Sequence, residues 1–166
     1  MLKKNQGEFI LSSLRSERLN VALTFNAKPE SETFPENLSP ILKDADGQAQ
    51  KSVDTYAEWD TWDTINAVKA AIETFHNVSM IEADQNAFNK FLEVKPDIVF
   101  NIAEGFYGVS REAQIPSMLD MLNIPYTGSD PLTLATCLDK ARAKEILSYH
   151  KIPNSKFVVA SSLDEA

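Results

Sequence analysis

The sequence predicts an α/β fold, a Rossmann-like parallel sheet of about four strands with helices on both faces. Two observations carry this. Short apolar runs alternate with stretches of helical periodicity in the order β-α-β-α-β-α-β-α, and that alternation implies parallel strands joined by helical crossovers. One of those runs, "PDIVFNI", is almost continuously apolar, as a strand covered on both faces requires. At 166 residues and 43% hydrophobic content the chain is long enough to bury one ordinary core.

Residues 1–18 carry weak helical periodicity and read as an N-terminal arm or short surface helix. "LNVALTFN" follows, alternating Val21, Leu23 and Phe25 with smaller residues, and reads as the first strand. From 26 to 60 the chain is rich in Pro, Ser, Asp and Glu. A connection of that length is either a mobile acidic loop or a functional flap. "TWDTINAVKAAIETF" sets Ile65, Val68, Ile72 and Phe75 on one helical face, with Asp60 or Thr61 as N-cap. "NVSMIEA" is the second strand, and "DQNAFNKFLEV" a helix capped by Asp84. After the third strand, Ile115, Met118, Leu119 and Leu122 mark a helix that Asn123 ends in the left-handed conformation. "IPYTGS" is a short fourth strand, and Asp130-Pro131 supplies an N-cap with proline at the first helical position. The chain is then helical to about His150, with a break near Leu138-Asp139. "KIPNSKFVVA" opens a new strand, and Ser161 or Ser162 offers an N-cap with no helix behind it, as expected of a truncated piece.

The net charge of −8 excludes a nucleic-acid partner, because neutralising phosphates requires clustered Lys and Arg. No window of roughly 18 apolar residues exists, so no membrane partner is expected. The N-terminus does not read as a signal peptide. Cys137 is the only cysteine, which excludes an internal disulfide, and it reads as a small buried residue. Together these features describe a soluble, cytoplasmic protein.

Ligands of open parallel sheets bind beyond the carboxyl ends of the strands. The loop after the third strand carries Glu104, Gly105, Gly108, Arg111 and Glu112 there. Its glycines let a ligand approach the main chain, and free N–H groups at the start of the helix near Arg111 favour an anion. Arg111 and Glu112 are equally readable as a surface pair. Lys140 and Lys144, one turn apart, either grip phosphates or form a solvated helix face. His76 and His150 read as surface or capping residues. No Walker loop, GxGxxG fingerprint or nucleophile–base pair is visible.

From Pro96 to Pro153 the sequence "REAQIPSMLDMLNIPYTGSDPLTLATCLDKARAKEILSYHKIP", with the strand and loop before it, resembles D-alanine–D-alanine ligases and their ATP-grasp relatives. The shared features are the charged-glycine loop, "IPYTGS" and "LDKARAK" followed by an "IP" break. The resemblance implies a pre-ATP-grasp domain over 19–133 and the first helix and strand of a truncated ATP-grasp domain over 134–166. It implies a ligase that uses ATP and Mg²⁺ to form an acyl phosphate attacked by an amine, acting on an amino acid or peptide. It also implies a homodimer. Lys140 matches the lysine that lies at the nucleotide, and Glu104, Gly105, Arg111 and Glu112 line the substrate. The metal-binding carboxylates belong to the half beyond this chain, so the 166 residues alone are expected not to turn over ATP.

The departures are as informative. D-alanine ligases carry a histidine-glycine pair where this chain has Glu104-Gly105, and their acidic pair falls on Val109 and Ser110. The glycine-rich loop after the first strand, with its ammonium-holding glutamate, is replaced by "FNAKPESETF", where Glu30 or Glu32 is the available substitute. These changes argue against D-alanine as substrate. The competing reading is a non-catalytic Rossmann-like small-molecule-binding or dimerisation module.

Overall fold

The structure is a computed structural model and describes residues 18–29, 56 and 58–160. The arm before residue 18, most of the 26–60 connection with Glu30 and Glu32, and Ser161 and Ser162 lie outside these residues. β1 (Asn20–Phe25), β2 (Asn77–Glu82) and β3 (Ile98–Asn101) form a parallel sheet in the order β2-β1-β3. Leu23 lies between Met80 and Phe100 in the register, and Ala22 between Ser79 and Val99.

This order fixes where the helices go. The crossover from β1 to β2 and the one from β2 back past β1 to β3 run in opposite directions. With one handedness they must lie on opposite faces. α1 (Trp62–Glu73) accordingly packs Ile65, Val68 and Ile72 against Leu23 and Phe25. α2 (Ala87–Val94) and the later α3 (Gln114–Leu122) pack Phe91, Ile115 and Leu119 on the other face, against Ala22, Ile81 and Val99. Covered on both sides, β1 is buried from Val21 to Phe25.

Local chemistry sets the element ends. Thr61 caps α1 through Thr64 N, and Asn123 closes α3 at φ 54° and ψ 41°. Asp130 caps α4 (Pro131–Leu138), with Pro131 at its first position. Asp139 breaks the chain there and caps α5 (Lys140–Tyr149), accepting from Ala141 N and Arg142 N.

Five expectations need correction. The fourth strand is a single bridge between Val99 and Tyr126. The ladder stops there because Pro125 has no N–H to give, Asn101 N donates to the Thr127 hydroxyl (3.1 Å), and Gly128 turns away at φ +103°. Asp84 is not the cap of α2. Its carboxylate accepts from Asn86 N at 2.8 Å in the preceding turn and meets Lys90 Nζ at 3.1 Å. Phe75 lies past the end of α1 and is 68% exposed, so it leaves the apolar stripe. Cys137 is exposed rather than buried, because α4 has no buried residue. Residues 151–160 pair with no strand among the described residues. Among those residues, no helix is long and apolar enough to cross a membrane.

Candidate functional site

β1 sends its connection to the α1 face and β3 sends its own to the α3 face. The carboxyl ends of these neighbouring strands therefore flank the switch point, where open parallel sheets leave a crevice. Asn26, directly after β1, and the loop 102–110, after β3, meet there.

Asn26 is 1% exposed and uses both ends of its amide. Oδ1 accepts from Glu104 N (3.0 Å) and Gly105 N (2.8 Å), while Nδ2 donates to the Ala83 carbonyl beyond β2 (3.3 Å). Asn101 Oδ1 accepts from Ala103 N (3.2 Å) and the Thr24 hydroxyl (2.8 Å). Gly105 sits at φ +77°, and a Cβ there would lie 2.4 Å from the Arg111 carbonyl oxygen. Its own carbonyl accepts from Trp59 Nε1 at 3.3 Å. Trp59 is buried between the rings of Tyr56 and Phe106, each 4.5 Å away edge to face.

On this backbone the carboxylates of Glu58, Glu104 and Glu112 converge, with ligand oxygens within 4.8 Å of one another. Arg111 reaches back to Glu58, Nη2 to Oε2 at 2.5 Å, rather than pairing with Glu112. Partial burial raises the Glu104 carboxyl above the usual glutamate range. The negative charges of Glu112, Glu58 and Asp60 add to this, and Arg111 opposes it. The site is thus an acidic wall, partly buried at Glu104 and open at Glu58, with one guanidinium at its side. It suits a cationic group, and an anion poorly.

The residues picked from the sequence divide into two groups. Glu104, Gly105, Arg111 and Glu112 are brought together. The helix start near Arg111 does not offer a set of free N–H groups for an anion. It is a single 3-10 turn, Arg111–Ala113, in which the N–H groups of 111, 113 and 114 are taken by the carbonyls of Gly108, Ser110 and Arg111. Lys140 and Lys144 do not converge on one point. Lys140 Nζ donates to the Cys137 carbonyl (2.9 Å), and Lys144 Nζ to Ser155 Oγ (2.6 Å), 5.4 Å from the Phe157 ring centroid. His76 Nδ1 accepts from Leu19 N at 3.4 Å, and His150 follows the end of α5, as their surface and capping roles predict. Asn26, Glu58 and Trp59 were missed. The only local signals were a polar residue directly after an apolar strand and the run "EWD" just before α1.

No family model matches the sequence. D-alanine–D-alanine ligases do match it. The Rickettsia typhi enzyme is 32% identical over 101 residues, 61% of this chain and 31% of its own length. The Halothermothrix orenii enzyme is 42% identical over 69 residues, 42% of this chain and 20% of its own. That of Aquifex aeolicus is 39% identical over 79 residues, 48% of this chain and 26% of its own. Over these stretches the chain is similar in sequence to the D-alanine–D-alanine ligases. It spans less than a third of the length of these relatives. The fold agrees: the D-alanine–D-alanine ligase of Bacillus anthracis, solved in complex with ATP, superposes with a TM-score of 0.50 at 21% identity. The superposition covers 82% of this chain and 36% of that one.

Proposed function

We propose that the chain forms the substrate-binding part of an ATP-dependent ligase that joins a carboxylate to an amine through an acyl phosphate. The observation that carries this reading is the acidic wall of Glu104, Glu112 and Glu58 at the switch point, in a chain similar in sequence to known ligases. Glu104 and Glu112 take the ammonium of an amino acid or peptide, Gly105 lets that substrate close on the main chain, and Arg111 holds Glu58 in the wall. The resemblance implies a histidine-glycine pair where this chain has Glu104-Gly105, and on that basis a substrate other than D-alanine fits the site better.

Lys140 is the nucleotide-facing lysine, at the start of α5 in the segment 134–166 that opens the ATP-grasp domain after a pre-ATP-grasp domain over 19–133. The three carboxylates are hard oxygen donors, yet Arg111 already occupies Glu58. They serve an ammonium better than Mg²⁺, whose ligands are expected beyond this chain. A homodimer in the cytoplasm completes the reading.

The test is calorimetry of Mg-ATP binding by the full-length protein, together with phosphate release against a panel of amino acids and dipeptides. Lys140→Ala weakens ATP binding and leaves the fold intact, since the side chain is exposed and a helix accepts alanine readily. Glu104→Gln raises KM for the accepted substrate. Unchanged ATP affinity in Lys140→Ala would return that lysine to a solvated helix face. No phosphate release with any substrate would favour a non-catalytic module. The 166-residue chain alone is expected to turn over no ATP, and bond formation by it overturns that part of the reading.

A further inference from the structure

We propose that Asn26 and Asn101 are positioning residues that clamp the backbone of the loop after β3 and thereby fix the direction in which Glu104 faces the crevice. The functional weight of this clamp rests on the reading of Glu104 as a substrate-facing group. The clamp itself stands on geometry alone.

Three consecutive N–H groups, those of Ala103, Glu104 and Gly105, donate to side-chain oxygens rather than to a neighbouring strand. The acceptors sit on different strands, Asn101 at the end of β3 and Asn26 just beyond the end of β1. Asn26 also reaches Ala83 beyond β2, so one buried amide ties the ends of all three strands. Asparagine and glutamine place an acceptor and a donor on one planar amide, and the shorter of the two holds it more rigidly. The clamp is reinforced from the other side. Trp59 Nε1 holds the Gly105 carbonyl, and the Arg111 carbonyl leaves no room for a Cβ on Gly105.

Within this stretch Ala103 and Gly105 are buried, and Glu104 is the residue whose side chain reaches the surface. The bonds therefore converge on a single directed carboxylate. Directly after β1, where the resemblance leads to a glycine-rich loop, this chain uses an asparagine to organise the site from below. A group held within a fraction of an ångström by supporting hydrogen bonds is what discrimination between substrates requires.

Amide hydrogen exchange and the titration of the Glu104 carboxyl, both followed by NMR on the full-length protein, test the clamp. In the wild type, the Glu104 and Gly105 amides exchange about a hundredfold more slowly than that of Val109 at the loop tip. Asn26→Ala accelerates both by about tenfold or more and moves the Glu104 titration down toward the ordinary glutamate range, while the Ile102 amide, bonded to Thr24, stays protected. Asn26→Asp keeps an acceptor oxygen and retains the protection of both amides. Fast exchange of these amides in the wild type overturns the proposal, even if Asn26→Ala fails to fold. So does an Asn26→Ala variant in which exchange and titration are unchanged. Neither readout needs a substrate, so the clamp and the ligase reading can fail separately, the latter by its ATP binding and turnover.

Discussion

Gly105 and Gly128 both adopt positive φ, and their surroundings separate two kinds of glycine requirement. A methyl group on Gly128 meets nothing within 4 Å, so Gly128→Ala costs only the left-handed strain, about 1 kcal/mol. On Gly105 it meets the Arg111 backbone at 2.4 Å and must displace the turn that carries Arg111 and Glu112. Gly105→Ala is expected to cost roughly 3 kcal/mol, measured as a lower urea midpoint at unchanged slope. Glu104 gives a prediction with a sign. Its folded carboxyl titrates above its unfolded value, so the folded state binds the proton more tightly. The stability this confers is present below the unfolded value and is lost as pH rises through the folded one. Glu104→Gln therefore melts higher than wild type at pH 7, and the difference closes as pH falls below the ordinary glutamate range. An equal difference at both pH values would show that charge is not the cause. Glu104 was legible in the sequence because it lies in the loop that follows an apolar strand. Its supports were not, for Asn26 lies 78 residues from it, Trp59 46 residues from Gly105, and Glu58 53 from Arg111. Nothing local in the chain links such pairs, and only the closed sheet brings them together.

Elements were legible where one local rule decides them. Asn123 at a helix end, Pro131 after Asp130, and the break at Asp139 each depend on backbone preferences that act within a few residues. The fourth strand fell short because a strand is defined by its partner. "IPYTGS" has strand composition and makes two backbone bonds to Val99, but Asn101 turns its N–H to a side-chain hydroxyl and the ladder goes no further. Phe75 fell outside α1 for a related reason: the hydrophobic period runs on to a position two residues after the helix has ended at Glu73. The Asp139 cap makes a testable claim at this scale. It satisfies two N–H groups of α5 while its own extended backbone separates α4 from α5. Asp139→Ala is expected to cost about 1 kcal/mol, and Asp139→Asn or Asp139→Ser to recover most of it. Thermal melts of the three variants check this. If alanine, asparagine and serine melt together, the cap contributes nothing.

At the scale of the whole molecule, burial is unevenly distributed. Both apolar clusters gather on the sheet, where Leu23, Ile65, Ile81, Phe91, Val99 and Leu119 are all within 2% of complete burial. α4 and α5 have no buried residue, and Leu132 and Tyr149 expose 77% and 83% of their surface. Helices of 8 and 10 residues are marginal in water on propensity alone and draw most of their stability from packing an apolar face. α4 touches the Arg111–Ala113 turn and α3, while α5 is held chiefly through α4. Their opening should therefore be local and should not require the sheet to separate. Native-state hydrogen exchange is expected to resolve two levels. The amides of β1 and β3 exchange only through global unfolding, with a strong dependence on denaturant, because β1 lies between two partners and under two helix layers. The amides of α5 exchange several orders of magnitude faster, with almost no denaturant dependence, since little surface is newly exposed when that helix frays. If α5 instead exchanged at the rate and slope of β1, the two helices would belong to the same cooperative unit as the sheet. Strain at Gly105 would then be felt at Lys140. With two levels, Gly105→Ala lowers the protection of β1 and β3 by the loss of global stability, while the exchange of α5 keeps its weak dependence on denaturant.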